Sequence, residues 1–147
     1  MKTAKNLKEP VIVLLLLFAA ALFSGCIGEE PESFDKNEIE IEIQFALDEQ
    51  CDAIKNKDID ALMETFNKNL SENYDKMKTG WEMAFSDVNV TGCEMIIKNL
   101  EISDGIAAVE LRGTMTSVSL SAGISKTENF TENNRFVKTG GEWKQVY

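Results

Sequence analysis

Three cysteines, Cys26, Cys51 and Cys93, are the only thiols in a chain of 147 residues that contains no histidine. Without an imidazole there is no His-based triad, no histidine general base and no His-ligated metal site. The cysteines form no CxxC, and neither GxGxxG nor GxxxxGK[ST] occurs, so thiol redox motifs and the common phosphate-cradling loops are excluded. Tyr74 beside Asp75 offers a phenol and a carboxylate. On a helix two adjacent side chains point about 100° apart, which weakens them as a convergent pair. No catalytic residue, metal ligand or cofactor is therefore assigned. Glu128, Glu132, Asn133 and Asn134 form a polar patch that would suit a cation or a sugar if it faced a cavity; residues of these types favour a solvated edge. Asn69, Asn89 and Asn129 each open an N-x-[ST] sequon and are candidate N-glycosylation sites, to be set against coincidence.

The chain begins with a segment that decides compartment. Lys2, Lys5 and Lys8 precede thirteen apolar residues, Val11 to Phe23, and the small residues Ser24 and Gly25 lead to Cys26. A basic region, a short apolar run and a small-residue end describe a secretory signal. As a helix the run spans about 20 Å, short of the ~30 Å hydrocarbon core. Extended to Ile27 it becomes a marginal span, and the lysines would then keep the N-terminus cytoplasmic. Removed or retained as an anchor, the segment exports the rest of the chain. In an exported chain Cys51 and Cys93 read as a disulfide or as two buried thiols, and the sequence admits both. Closing that loop would contribute about 4 kcal/mol in the chain-entropy model.

Leu22-Phe23-Ser24-Gly25-Cys26 resembles the lipobox of prokaryotic lipoproteins, and the acidic stretch after it is similar to the start of archaeal ones. Phe23 stands where leucine is more usual. The resemblance implies that residues 1–25 are a signal peptide, that Cys26 carries lipid as the first mature residue, and that the domain sits on the extracytoplasmic side of the cell membrane. One lipid chain holds a protein only reversibly, so stable anchoring implies a second chain or a bulky archaeal-type lipid. Residues 26–34, acidic and bearing Pro31, read as an extended tether. Removing the signal leaves 12 of the 15 basic and 24 of the 25 acidic residues. Such a surface disfavours nucleic acid and anionic headgroups.

The remaining residues, 35–147, must supply the elements. Glu38 to Ile43 alternates like a strand, but Ile39, Ile43, Leu47, Cys51 and Ile54 continue as one helical stripe beside Ala46, which predicts a helix from Asp35 to Asn56. Asp35 with Glu38 fits a capping box loosely. Asp58 caps a short second helix carrying Ile59, Leu62, Met63 and Phe66. Ser71 is placed to cap a third that holds Tyr74, Met77, Trp81 and Phe85, weakened or divided by Gly80. Tyr74 and Trp81 would line a pocket or fill the core.

From Thr91 the pattern turns to strands. Asp104-Gly105 and Gly140-Gly141 mark hairpins, a turn falls near Ala122-Gly123, and the apolar phase slips near Thr116, which predicts a bulge there. The Ser/Thr-rich run Thr114 to Thr127 reads as the exposed half of alternating strands.

Helices followed by a four-stranded meander, with Asn56-Lys57-Asp58-Ile59-Asp60-Ala61-Leu62 opening the second helix and Gly140-Gly141-Glu142-Trp143-Lys144 entering the last strand, are similar to the NTF2-like (cystatin-like) superfamily. The resemblance implies an α+β fold over 35–147, with N-terminal helices packed on a curved four-stranded antiparallel meander around a cone-shaped pocket. Family enzymes such as ketosteroid isomerase place an aspartate with a tyrosine or a histidine in that pocket, and no such set maps onto this chain. The expected function is a membrane-tethered module that binds a small ligand or an envelope protein without catalysis. The alternative is a small isomerase or dehydratase acting on an apolar substrate; a purely structural role in assembly would require a filled core and an exposed apolar patch.

Overall fold

A computed structural model describes residues 35–147. The signal segment 1–25, Cys26 and the tether to residue 34 lie outside the described residues. Three helices, α1 (Lys36–Asn56), α2 (Ile59–Glu64) and α3 (Tyr74–Asp87), precede four strands, β1 (Val88–Ser103), β2 (Ile106–Ser119), β3 (Ser125–Thr139) and β4 (Glu142–Val146). The strands form one antiparallel sheet in the order β1-β2-β3-β4. The fold is α+β, with helices laid on one face of a meander. No helix among the described residues is long and apolar enough to cross a membrane.

Helix α1 follows its apolar stripe. Ile39, Ile43, Ala46, Leu47, Cys51 and Ile54 are all buried, so the 3.6-residue period prevails over the six-residue alternation at the start. The Asp35 carboxylate accepts from the Asn37 N–H. Lys57 ends the helix in the left-handed region (φ 57°), its N–H donating back to the Ala53 and Ile54 carbonyls. Its Nζ reaches on to the Phe85 carbonyl at 2.7 Å, satisfying an orphan acceptor in the last turn of α3. Asp58 caps α2 through the Ala61 N–H.

The start of α3 differs from expectation. Ser71 does not cap it; Asn73, at φ 57°, precedes Tyr74 without a side-chain cap. The Ser71 hydroxyl instead accepts from the Tyr147 N–H, because Thr65 and Asn67 bond Gln145 across a single parallel bridge at Phe66, which carries the following turn past Tyr147. Helix α3 passes Gly80 unbroken and runs straight into β1 at Val88, three residues before the expected strand start.

Pairing places directly opposite residues on one face. Ala107, Val109, Leu111 and Gly113 of β2 face the helices, with Phe136, Asn134, Glu132 and Phe130 of β3 opposite them in turn. Gly113 is needed here: a Cβ on it would lie 2.1 Å from Cζ of Phe130, whose ring crosses the glycine. The expected irregularity near Thr116 is found in its pairing with β1, where Thr91 is the extra residue between Val90, opposite Ser117, and Gly92, opposite Thr116; β2 itself keeps continuous register with β3. The irregularities lie in β1, between Val90 and Gly92 and between Ile97 and Asn99. The change of apolar phase in β2 leaves Leu120 and Ile124 exposed in the turn beyond it. Both two-residue hairpins have positive φ at each central position, 52° and 74° at Asp104-Gly105 and 64° and 90° at Gly140-Gly141, as tight antiparallel turns require.

The core has two adjoining clusters. Ile39, Ile43 and Leu47 of α1 pack with Leu100, Val109, Leu111, Phe136 and Trp143. Leu62, Phe66, Phe85 and Val90 form the second, with Tyr74, Met77, Trp81 and Met115 against it. Cys93 touches both, and it is joined to Cys51 by a disulfide. Buried Gln50 donates to Gln145 at 2.9 Å, tying α1 to β4. The Gln44 amide donates to the Met95 carbonyl and accepts from the Ile97 N–H, taking the place of a neighbouring strand beside β1.

Candidate functional site

The helix-covered face of the sheet is occupied by side chains. Tyr74 and Trp81 belong to the packing, and the Tyr74 hydroxyl donates to the Met63 carbonyl at 2.8 Å. Asp75 next to it is exposed. Among the described residues every buried side-chain polar atom has a partner, and no group of three His, Cys, Asp or Glu residues is placed to hold a metal. Among the described residues, the groups with shifted acidity, Glu42, Asp60 and Lys78, lie on the surface. Asp60 and Lys78 pair with each other, and Glu42 pairs with Lys138.

Among the described residues, a concavity with ligand dimensions lies on the opposite side of α1. A groove of about 700 Å³ runs between α1, α2 and the start of β4. Ile41 and Phe45, one helical turn apart, form its apolar part and remain 71% and 63% exposed. Farther along α1 the lining becomes acidic with Glu49 and Asp52, and α2 adds Asp58 and Glu64. Lys144 closes the β4 side, donating to the Glu64 carbonyl at 2.9 Å and lying 3.3 Å from Glu142.

Glu42 fixes the corner where the groove meets the core. Its Oε2 accepts from Lys138 Nζ and from the indole N–H of Trp143, each at 2.8 Å. The indole is therefore satisfied although Trp143 is only 5% exposed. The Lys138 hydrogen bond, with the indole adding to it, holds the Glu42 carboxyl below its ordinary value of 4.5. A carboxylate with a lowered folded pKa stabilises the fold above the unfolded value and loses that contribution as pH falls through the folded one. At neutral pH, Glu42→Gln is expected to cost under about 1 kcal/mol, because the pair is half exposed. The gap from the parent should close as pH falls below 4.5. Urea midpoints of the two proteins across pH 3 to 7 check this, and a constant gap contradicts it.

The residues singled out in the sequence do not gather at this groove. Cys26 lies outside the described residues, and Cys51 and Cys93 form the core disulfide. Asn69, Asn89 and Asn129 are exposed at separate places. Ser71 of the first sequon is nearly buried, and Asn129 accepts from the Thr114 hydroxyl across β2 and β3. Glu128 and Glu132 stand on the part of β3 that β4 does not reach, exposed, with Glu128 paired to Lys126. Glu132 and half-buried Asn134 lie on the helix-facing side of β3 with Phe136, Glu132 open to solvent, and Asn133 is exposed on the other side. The groove itself escaped sequence reasoning, although a signal for it exists: Ile41 and Phe45 form a second apolar pair at helical spacing, off the core stripe of α1.

No family model matches the sequence, and no curated protein matches it either. Solved structures do match in shape. A conserved protein from Planctomyces limnophilus superposes with a TM-score of 0.66 at 13% identity, over 76% of this chain and 93% of that one. A ketosteroid isomerase-like protein from Erwinia carotovora gives 0.62 at 19% identity, over 75% and 92%. A nuclear transport factor 2 (NTF2-like) superfamily protein from Salmonella enterica gives 0.61 at 12%, over 75% and 87%. At such identities the likeness concerns architecture and carries no activity with it. Residues 35–147 have the NTF2-like α+β fold.

Proposed function

We propose that this protein is an extracytoplasmic lipoprotein, held to the cell membrane through Cys26, whose NTF2-like domain binds a small ligand or an envelope protein in the groove between α1, α2 and β4. The observation that carries the binding role is the groove's composition: Ile41 and Phe45, largely exposed, beside a run of carboxylates. An apolar surface left open in this way marks a contact site. The anchor rests on the lipobox-like residues Leu22 to Cys26 and the apolar run before them.

The second reading, an isomerase or dehydratase acting on an apolar substrate, draws on the ketosteroid isomerase-like neighbour. It requires a titratable group inside the helix-covered face, where Tyr74 already donates to the Met63 carbonyl.

One preparation tests both halves of the proposal. The full chain with benzoylphenylalanine in place of Phe45 is irradiated in native membranes, extracted and weighed intact, beside a control carrying the same group in place of exposed Glu110 on the far face of β2. The expected mass is that of a lipid-modified chain beginning at Cys26, with a photoadduct at 45 and none at 110. An unmodified chain beginning at Met1 overturns the anchor. Equal adducts at both positions, or none at 45, overturn the groove as the binding site.

A further inference from the structure

We infer that the occupant of this groove is a basic amphipathic helix of a partner protein, seated with its apolar side chains on Ile41 and Phe45 and its lysines or arginines toward Glu49, Asp52, Asp58 and Glu64. The inference rests on the groove being the binding site and adds the chemistry of what binds there. Ile41, Phe45, Glu49 and Asp52 fall at successive spacings of four, four and three along α1, within about 80° of one another around the helix. They form one stripe that changes from apolar to acidic along its length, and α2 continues the acidic end. A complementary segment needs apolar residues one turn apart, followed by cations one to two turns farther along.

Charge decides the sign of the partner. Asp52 is partly met by Lys55 at 2.7 Å, and the Asp58 carboxylate caps α2. Glu49 and Glu64 form no ion pair among the described residues. An incoming cation gains most at these two. Anionic headgroups meet repulsion on the same surface.

Shape decides between a helix and other occupants. From Ile41 to Asn56 the groove follows α1 for about 22 Å, four turns of a partner helix. Adding a strand to β4 at this point is blocked at Gln145, whose N–H donates to the Thr65 carbonyl and whose carbonyl accepts from the Asn67 N–H. A small molecule is usually enclosed over most of its surface, whereas Ile41 and Phe45 stay largely open.

The test uses the lipid-anchored full chain in zwitterionic nanodiscs, with empty nanodiscs subtracted. The probes are a fluorescent leucine–lysine amphipathic peptide of about 15 residues, long enough to span the stripe as a helix, and its leucine–glutamate counterpart. Anisotropy should show the lysine peptide binding and the glutamate peptide not. Phe45→Ser, which leaves every charge in place, should weaken binding about tenfold, the loss of a central aromatic anchor. Glu49→Gln with Glu64→Gln should weaken it by a similar factor and flatten its salt dependence. Equal binding of both peptides overturns the cationic partner, and so does binding of the lysine peptide that Phe45→Ser leaves unchanged. A photoadduct at position 45 in native membranes together with no peptide binding rejects the basic helix while the groove stands; no adduct and no binding reject both.

Discussion

Replacing Cys51 and Cys93 together by alanine is expected to remove about 4 kcal/mol of stability, because 42 residues of sequence separate the two ends of the closed loop. That is a large share of the roughly 5–15 kcal/mol that holds a domain folded. The position of the bridge adds to the effect. Cys51 lies on the buried stripe of α1, 5% exposed, while Cys93 of β1 touches both core clusters. The bond thus clamps the long helix to the strand where the two clusters meet. A urea titration checks the prediction: the variant should unfold at a clearly lower midpoint, and the parent in reductant should approach it. A parent whose midpoint does not move on full reduction would show that the closed loop contributes nothing.

The second large effect is expected from Phe136→Ala, at about 3–5 kcal/mol. Phe136 is fully buried on β3, with Ala107 opposite it on β2 and Gln145 opposite it on β4. The small Ala107 side chain leaves room that the ring fills against Leu111, Val109 and α1. The site cannot collapse readily, since β2, β3 and β4 are all hydrogen-bonded around it, so the cavity term should approach its upper range. Ile106→Ala, one residue before Ala107 and 39% exposed, serves as the control and should cost under about 1 kcal/mol. Urea midpoints of the two variants side by side measure the difference. Comparable losses at the two positions would mean that burial does not set the cost here.

These two positions also show how far the sequence can be read. The stripe Ile39, Ile43, Leu47, Cys51 and Ile54 is legible because helical periodicity is local, and every member is buried. The Asp104-Gly105 and Gly140-Gly141 turns are legible for a similar reason, since few residue pairs tolerate positive φ at two consecutive positions. The start of α3 is not legible, because Ser71 is claimed by Tyr147, far away in sequence. The apolar pattern points to an irregularity near Thr116, and one lies there, but the extra residue is Thr91 of β1 opposite it, because register depends on the partner strand as much as on the strand's own pattern.

The apolar run up to Cys26, the absence of histidine, the acidic balance and the α+β order of elements all follow from composition and short-range pattern, which need no knowledge of what packs where. The sequence leaves open whether Cys51 and Cys93 bond and where Ser71 and Gln44 spend their hydrogen bonds. Those are settled by contacts between residues dozens of positions apart. Helix α1 has two sides that water would disfavour, and the sheet can cover only one. The stripe through Ile43 and Leu47 is covered; Ile41 and Phe45 are left facing out, and the groove exists for that reason.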